Sequence, residues 1–166
     1  MTENRLLEAL RIEQPLQIVG TINAYSSLLA QDAGFRALYL SGSGVASASF
    51  GLPDLAMTTL TEIVSETRRI TSVTKLPLLV DVDTGFGDLL SIRRMIKEMI
   101  NSGASGIHIE DQVINKRCGH RLGKTLVSQD EMATRISTAI DARGKENLLI
   151  MARTDALTVE GLESTV

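Results

Sequence analysis

The sequence predicts a parallel α/β fold of the (β/α)8 TIM-barrel type, truncated to about the first five βα units, with residues 1–166 forming one incomplete barrel domain. Three observations predict it. Five short apolar runs recur along the chain, amphipathic segments separate them, and ionisable residues gather just past the runs. Alternating strand and helix patterns imply a parallel sheet. An open doubly wound sheet and a barrel share that pattern. A complete barrel typically needs about 250 residues, so a chain of 166 residues would supply only part of one.

The runs occupy residues 16–19, 37–40, 76–82, 106–109 and 148–151. Each is strand length and rich in Ile, Val and Leu, with few polar interruptions, as in strands buried on both faces. A helix is expected to precede the first run. Residues 24–33 read as the next helix, and Gly34 is a natural stop for it. Leu60, Ile63, Val64 and Ile70 share one helical face; so do Ile92, Met95, Ile96 and Met99, and then Met132, Ile136, Ala139 and Ile140. Thr59 with Glu62, and Ser128 with Glu131, have the spacing of a capping box.

Composition narrows the function classes. The chain is 43% hydrophobic and 22% charged, ordinary for a globular protein. A net charge of -3 and no basic tract argue against a nucleic-acid partner. A single cysteine excludes an internal disulfide framework and fits a reducing compartment. Acids interrupt the apolar residues of the N-terminal stretch, Met1 to Glu8, so it is no secretory leader. No stretch approaches the roughly 20 apolar residues of a membrane span. The expectation is a cytoplasmic protein.

Chemistry-bearing residues follow the strands. In a barrel that edge is where active sites form. Asp81 and Asp83 end the third run, and strand alternation would put both carboxylates on one face. Glu110 on the next strand could complete an oxygen-rich site suited to Mg2+, or to Mn2+ in its place. The competing reading is a solvated strand end. Ser41, Gly42, Ser43 and Gly44 follow the second run, where backbone N–H groups could hold a carboxylate, or glycine could serve a tight turn of positive φ. Cys118 has charged neighbours in Lys116, Arg117 and His120, and Gly119 loosens the backbone there. Nearby cations favour a thiolate, although a lone cysteine is often only a small buried hydrophobe. Arg153 can grip a carboxylate through two parallel hydrogen bonds, or pair with Asp155 or Asp81. His108 alternates with Glu110 and so shares its face.

Several ordered motifs together resemble the isocitrate lyase/phosphoenolpyruvate mutase superfamily. Residues 79–87 (LVDVDTGFG) resemble its metal-binding strand, and residues 106–112 (GIHIEDQ) its next strand. Residues 116–120 (KRCGH) look like the catalytic loop of its lyase branch. The continuation RLGK at 121–124 is closer to the 2-methylisocitrate lyase family than to isocitrate lyases, and MARTDA at 151–156 fits the same branch. Ser43 departs from the family's run of three glycines.

The resemblance implies a barrel and Mg2+-dependent cleavage of 2-methylisocitrate to pyruvate and succinate, within propionate catabolism. It implies Asp81 as the direct metal ligand, with Asp83, Glu110 and Asp54 acting through water. Ser41, Gly42, Ser43 and Arg153 would hold the pyruvate end, with His108 beside them. Cys118 would protonate the succinate-side carbanion, and Tyr39 would take the substrate's hydroxyl proton. Lys116, Arg117, Gly119 and His120 would form a mobile lid. It also implies a small tricarboxylate as substrate and a homo-oligomer, tetrameric in the family. The alternatives are isocitrate lyase or a related lyase or decarboxylase, and a non-catalytic truncated product.

Overall fold

The computed structural model describes residues 4–166; residues 1–3, part of the N-terminal stretch read above as no leader, lie outside the described residues. The elements are α1 (Arg5–Ile12), β1 (Ile18–Thr21), α2 (Ala24–Asp32), β2 (Ala37–Leu40), α3 (Gly42–Phe50), α4 (Leu60–Val73), β3 (Leu78–Asp81), α5 (Leu89–Asn101), β4 (Gly106–Glu110), α6 (Gln129–Arg143) and β5 (Leu149–Arg153), then a 3-10 turn at Ala156–Thr158 and the short α7 (Leu162–Thr165). Among the described residues no helix is long and apolar enough to cross a membrane.

The five strands are parallel and lie in chain order, β1-β2-β3-β4-β5. A doubly wound sheet reverses its strand order at a switch point. This sheet has no reversal, so it is an arc of barrel staves.

Alternation divides the two faces of the arc. Leu38, Leu40, Leu78, Val80, Ile107 and Ile109 point outward into one core with α4, α5 and α6. Ala37, Tyr39, Leu79 and Leu149 face the other way, where Leu6 of α1 packs. By the same period of two, Asp81, His108, Glu110 and Arg153 belong to that inner face. The strands are therefore not apolar on both faces, as their composition suggested. Their inner face turns polar at the C-terminal rim.

Local signals explain the helix ends. The Thr59–Glu62 capping box is reciprocal, while Ser128 caps α6 through the Glu131 N–H. Asn23 caps α2, which stops before Gly34 at φ 89°. The apolar face of α5 is buried as its spacing predicts. The face of α6 differs. Ile140 is exposed, whereas Arg135 is buried, because its guanidinium donates to the Gln112 carbonyl at 2.8 Å and to Glu131 at 2.7 Å.

Ile96 sits at the centre of the outer core with no exposed surface. Ile96→Ala should cost about 2–5 kcal/mol through lost burial and a residual cavity. Urea unfolding followed by circular dichroism would read this as a lower midpoint at unchanged slope.

Candidate active site

The rim begins with Asp81, the last residue of β3. Strand alternation does not carry Asp83 to its side, because β3 ends at Asp81 and Asp83 adopts a left-handed backbone at φ 48°. Asp tolerates that region better than most residues. The turn brings the Asp83 N–H onto Asp81 Oδ1 at 3.1 Å. The two carboxylates thus converge as expected, by a tight turn in place of a pleat.

Both converge on Gly42. A Cβ built there would lie 3.3 Å from Asp81 Oδ2 and 3.5 Å from Asp83 Oδ1. Residues 42–44 form the first turn of α3, and neither Gly42 nor Gly44 has positive φ, which corrects the tight-turn reading. Ser41 caps this helix by accepting from the Gly44 N–H at 3.1 Å. The Gly42 N–H donates to Asp81 Oδ2 at 3.1 Å, so the positive end of α3 faces a carboxylate of its own chain. Ser43 contributes its carbonyl to Ser47 and lies partly exposed beside this point.

Tyr39 and His108 face Asp81 from the strands on either side. Their rings stack at 5.4 Å, and the Tyr39 hydroxyl is 2.7 Å from His108 Nε2 and 3.3 Å from Asp81 Oδ2. Burial, then the charge of Asp81, pushes the Tyr39 pKa far up. Burial holds His108 below its ordinary value. Tyr39 therefore stays protonated here, and His108 stays neutral near pH 7.

Glu110 ends β4 and is almost wholly buried. Arg153, its register partner on β5, reaches it at 3.2 Å and reaches Asp155 at 3.3 Å. Asp155 is the pairing partner that the sequence offered as an alternative, and Arg153 uses it together with Glu110. Burial still lifts the Glu110 carboxyl to about 7.

Residues 111–127 leave the sheet and return. The Val127 N–H donates to the Asp111 carbonyl, and the Val113 N–H to the Thr125 carbonyl, closing the base of the excursion. Inside it, Lys116 is buried and pairs with Asp83 at 2.7 Å and with Asp54. Burial alone would lower the Lys116 pKa, but Asp83 and Asp54 hold it above its ordinary value. Lys116 pulls Asp83 down in turn; burial and Asp81 outweigh it and lift Asp83 to about 6. Gly119 packs so close to Arg153 that a Cβ would stand 2.1 Å from its Nη2. Cys118 is half-buried, and the side chains of Arg117 and His120 are exposed. Arg117 enters the network through its backbone alone.

The four expected metal ligands are not gathered into one ready ligand set. Among the described residues, no three His, Cys, Asp or Glu side chains are close enough to hold one ion. Lys116 clasps Asp54 and Asp83, and Arg153 clasps Glu110. The donor chemistry nevertheless fits a hard divalent cation. Asp54, Asp81, Asp83 and Glu110 face two cationic side chains, and Asp81 and Asp83 converge around a glycine that leaves room between them.

The residue pattern left Gln112 and Lys124 without a role and offered Asp155 only as a pairing partner for Arg153; all three are bonded into the network. Gln112 and Asp155 each lie two residues beyond an expected site residue, Glu110 and Arg153, a spacing that could have marked them.

Known proteins share the whole arc. The family model described as phosphoenolpyruvate phosphomutase matches residues 7–166. The 2-methylisocitrate lyase of Shewanella oneidensis is 56% identical over 162 residues, covering 98% of this chain and 56% of that protein. A structure of oxaloacetate acetylhydrolase with 3,3-difluorooxalacetate superposes with a TM-score of 0.90 at 34% identity, over 96% of this chain and 56% of that one. Phosphonopyruvate hydrolase with oxalate and Mg2+ superposes with a TM-score of 0.80 at 28% identity, over 99% and 56%. The chain spans about half the length of the curated relatives it matches.

The raised carboxyls set a pH dependence. Glu110 moves from an ordinary 4.5 to about 7, and Asp83 from 3.8 to about 6. An acid with a raised folded pKa contributes stability that is complete below its unfolded pKa and is lost as pH rises through the folded one. Without divalent cations, the melting temperature of the parent chain should fall relative to Glu110→Gln between pH 4.5 and 7. Parallel melting profiles for the two proteins would show that Glu110 carries no such shift.

Proposed function

Because the chain belongs to the phosphoenolpyruvate phosphomutase family, we propose that its rim is the catalytic face of a Mg2+-dependent lyase that cleaves 2-methylisocitrate to pyruvate and succinate. One observation carries this reading. Carboxylates from successive staves, a half-buried arginine and a cysteine-bearing excursion meet at a single edge.

Asp81 would hold the cation directly, with Asp83, Glu110 and Asp54 reaching it through water. Bound there, Mg2+ would supply Lewis-acid polarisation of the substrate oxygen that becomes a carbonyl. The remaining work falls to the chain's own groups. The substrate's tertiary hydroxyl gives up its proton to the Tyr39–His108 pair. Tyr39 is held protonated, so the neutral ring of His108 is the acceptor within that pair.

The alkoxide electrons form the carbonyl of pyruvate as the bond between the substituted carbons breaks. That bond's electron pair passes to the carbon beside the succinate-side carboxylate. Cys118 delivers a proton to this carbon, and the resulting thiolate is reprotonated through solvent as His108 gives up the proton it took. Arg153 and the first turn of α3, Ser41 to Ser43, stabilise the carboxylate and carbonyl of the pyruvate end. Lys116, Arg117, Gly119 and His120 belong to the lid that excludes water while this happens.

The test is pyruvate release from 2-methylisocitrate, followed through lactate dehydrogenase, with isocitrate as comparator. Turnover should require Mg2+, stop with a chelator, and fall by about 10²-fold or more in Cys118→Ser. Retained turnover in that variant would remove the proton-donor role. A parallel melt should show Mg2+ with pyruvate raising the melting temperature, since a ligand that binds only the native state stabilises it.

A further inference from the structure

We propose that Gln112 is the positioning residue of the lid, its side-chain amide holding the peptide that carries Cys118 at a fixed place against Glu110 and Asp155. Gln112 is fully buried. Its Oε1 accepts from the Arg117 N–H at 2.9 Å, and its Nε2 donates to the Arg117 carbonyl at 2.9 Å. The side chain thus pairs with both backbone groups of one lid residue. The Arg117 carbonyl belongs to the peptide unit whose nitrogen is that of Cys118, so this bond acts directly on the thiol's backbone.

The same Nε2 lies 2.9 Å from Glu110 Oε1 and 2.8 Å from Asp155 Oδ2. The orientation of the amide follows from these neighbours, because a reversed amide would aim its carbonyl oxygen at two carboxylates. A primary amide has two N–H donors, and here three acceptors surround it. The lid peptide, Glu110 and Asp155 therefore share one donor group, and a movement of any of them is felt by the others.

Gln112 is itself fixed. Its carbonyl accepts from the buried Arg135 at 2.8 Å, which ties it to α6, and the strand-like closure of 111–113 on 125–127 holds its backbone. Lys124 makes a parallel tie from Asp155 to the Gly119 carbonyl, one residue beyond the cysteine. These partners distinguish Gln112 from a residue that merely fills space. Beyond the two rim carboxylates, its amide bonds only to the backbone of Arg117 in the lid.

The inference rests on the reading of Cys118 as the lid's reactive group, but its test does not need turnover. Cys118 is the only cysteine, so thiol labelling reports on the lid alone. In Gln112→Met, similar in length but without hydrogen-bonding groups, Cys118 should label about tenfold faster or more, because both bonds to the Arg117 backbone are lost. Hydrogen exchange at the Arg117 amide should accelerate likewise, while amides of β5 keep their protection. Gln112→Asn keeps a buried amide that falls one methylene short of Arg117. It should give the same result, and it serves should Gln112→Met not fold.

Unchanged labelling in a folded variant would overturn the proposal. So would faster exchange spread evenly over lid and sheet, which would make Gln112 a core residue only. If the protein proves active, kcat should fall with KM nearly unchanged. Absence of any activity with the labelling result intact would count against the lyase reading and leave the lid anchor standing.

Discussion

Buried carboxylate charge is the constraint on which the rim depends. Asp81, Asp83 and Glu110 are each less than a tenth exposed. Taking such groups from water is expensive unless they are paired or protonated. The chain meets the cost in three ways. The Gly42 N–H at the start of α3 donates to Asp81, Lys116 reaches in from the excursion to Asp83 and Asp54, and Arg153 rises from β5 to Glu110. Even so, Asp83 and Glu110 keep raised pKa values, because burial outweighs the partners it brings. The divalent cation proposed for this rim would relieve that condition.

The posture of the excursion follows from the same shortage. Lys116 is buried because its carboxylate partners are, and it carries residues 117–121 with it. Charge balance and lid position are therefore one variable. Any cation that takes over Asp83 competes with Lys116 for the same oxygens. The excursion would then depend on its other ties, those of Gln112 and Lys124. Both of these reach backbone carbonyls of the lid, which do not change their charge.

Sequence pattern exposed most of the architecture and much of the rim. Strand and helix positions follow from hydrophobic period and caps, alternation puts His108 with Glu110, the strand ends mark Asp81 and Arg153, and the family resemblance marks Tyr39. Three features needed coordinates. Asp83 reaches Asp81 by a left-handed turn that a period of two cannot describe. The glycines after β2 open a helix, because Ser41 caps them and Asp81 supplies an acceptor that lies 39 residues away in sequence. The buried side of α6 includes an arginine, because the acceptor that makes its burial tolerable is the carbonyl of Gln112, 23 residues earlier. In each case the deciding partner is distant in sequence, where periodicity carries no information.

Gln112 belongs with these, and its place explains how one thiol on an exposed excursion can be aimed. Transfer of a proton to a developing carbanion requires the donor to stand within hydrogen-bond reach, and misplacement by about 1 Å can cost orders of magnitude in rate. Loop residues are the least precisely held part of a barrel. Sequence neighbours alone do not supply the precision, since Gly119 after Cys118 is itself held from outside, by its packing on Arg153 and by Lys124. A side chain from the rigid end of β4 can. Rooted two residues past Glu110, the amide of Gln112 measures the position of the cysteine's peptide from the carboxylates themselves. The reference for the thiol is then the charged rim, the same place where the reacting carbon would lie.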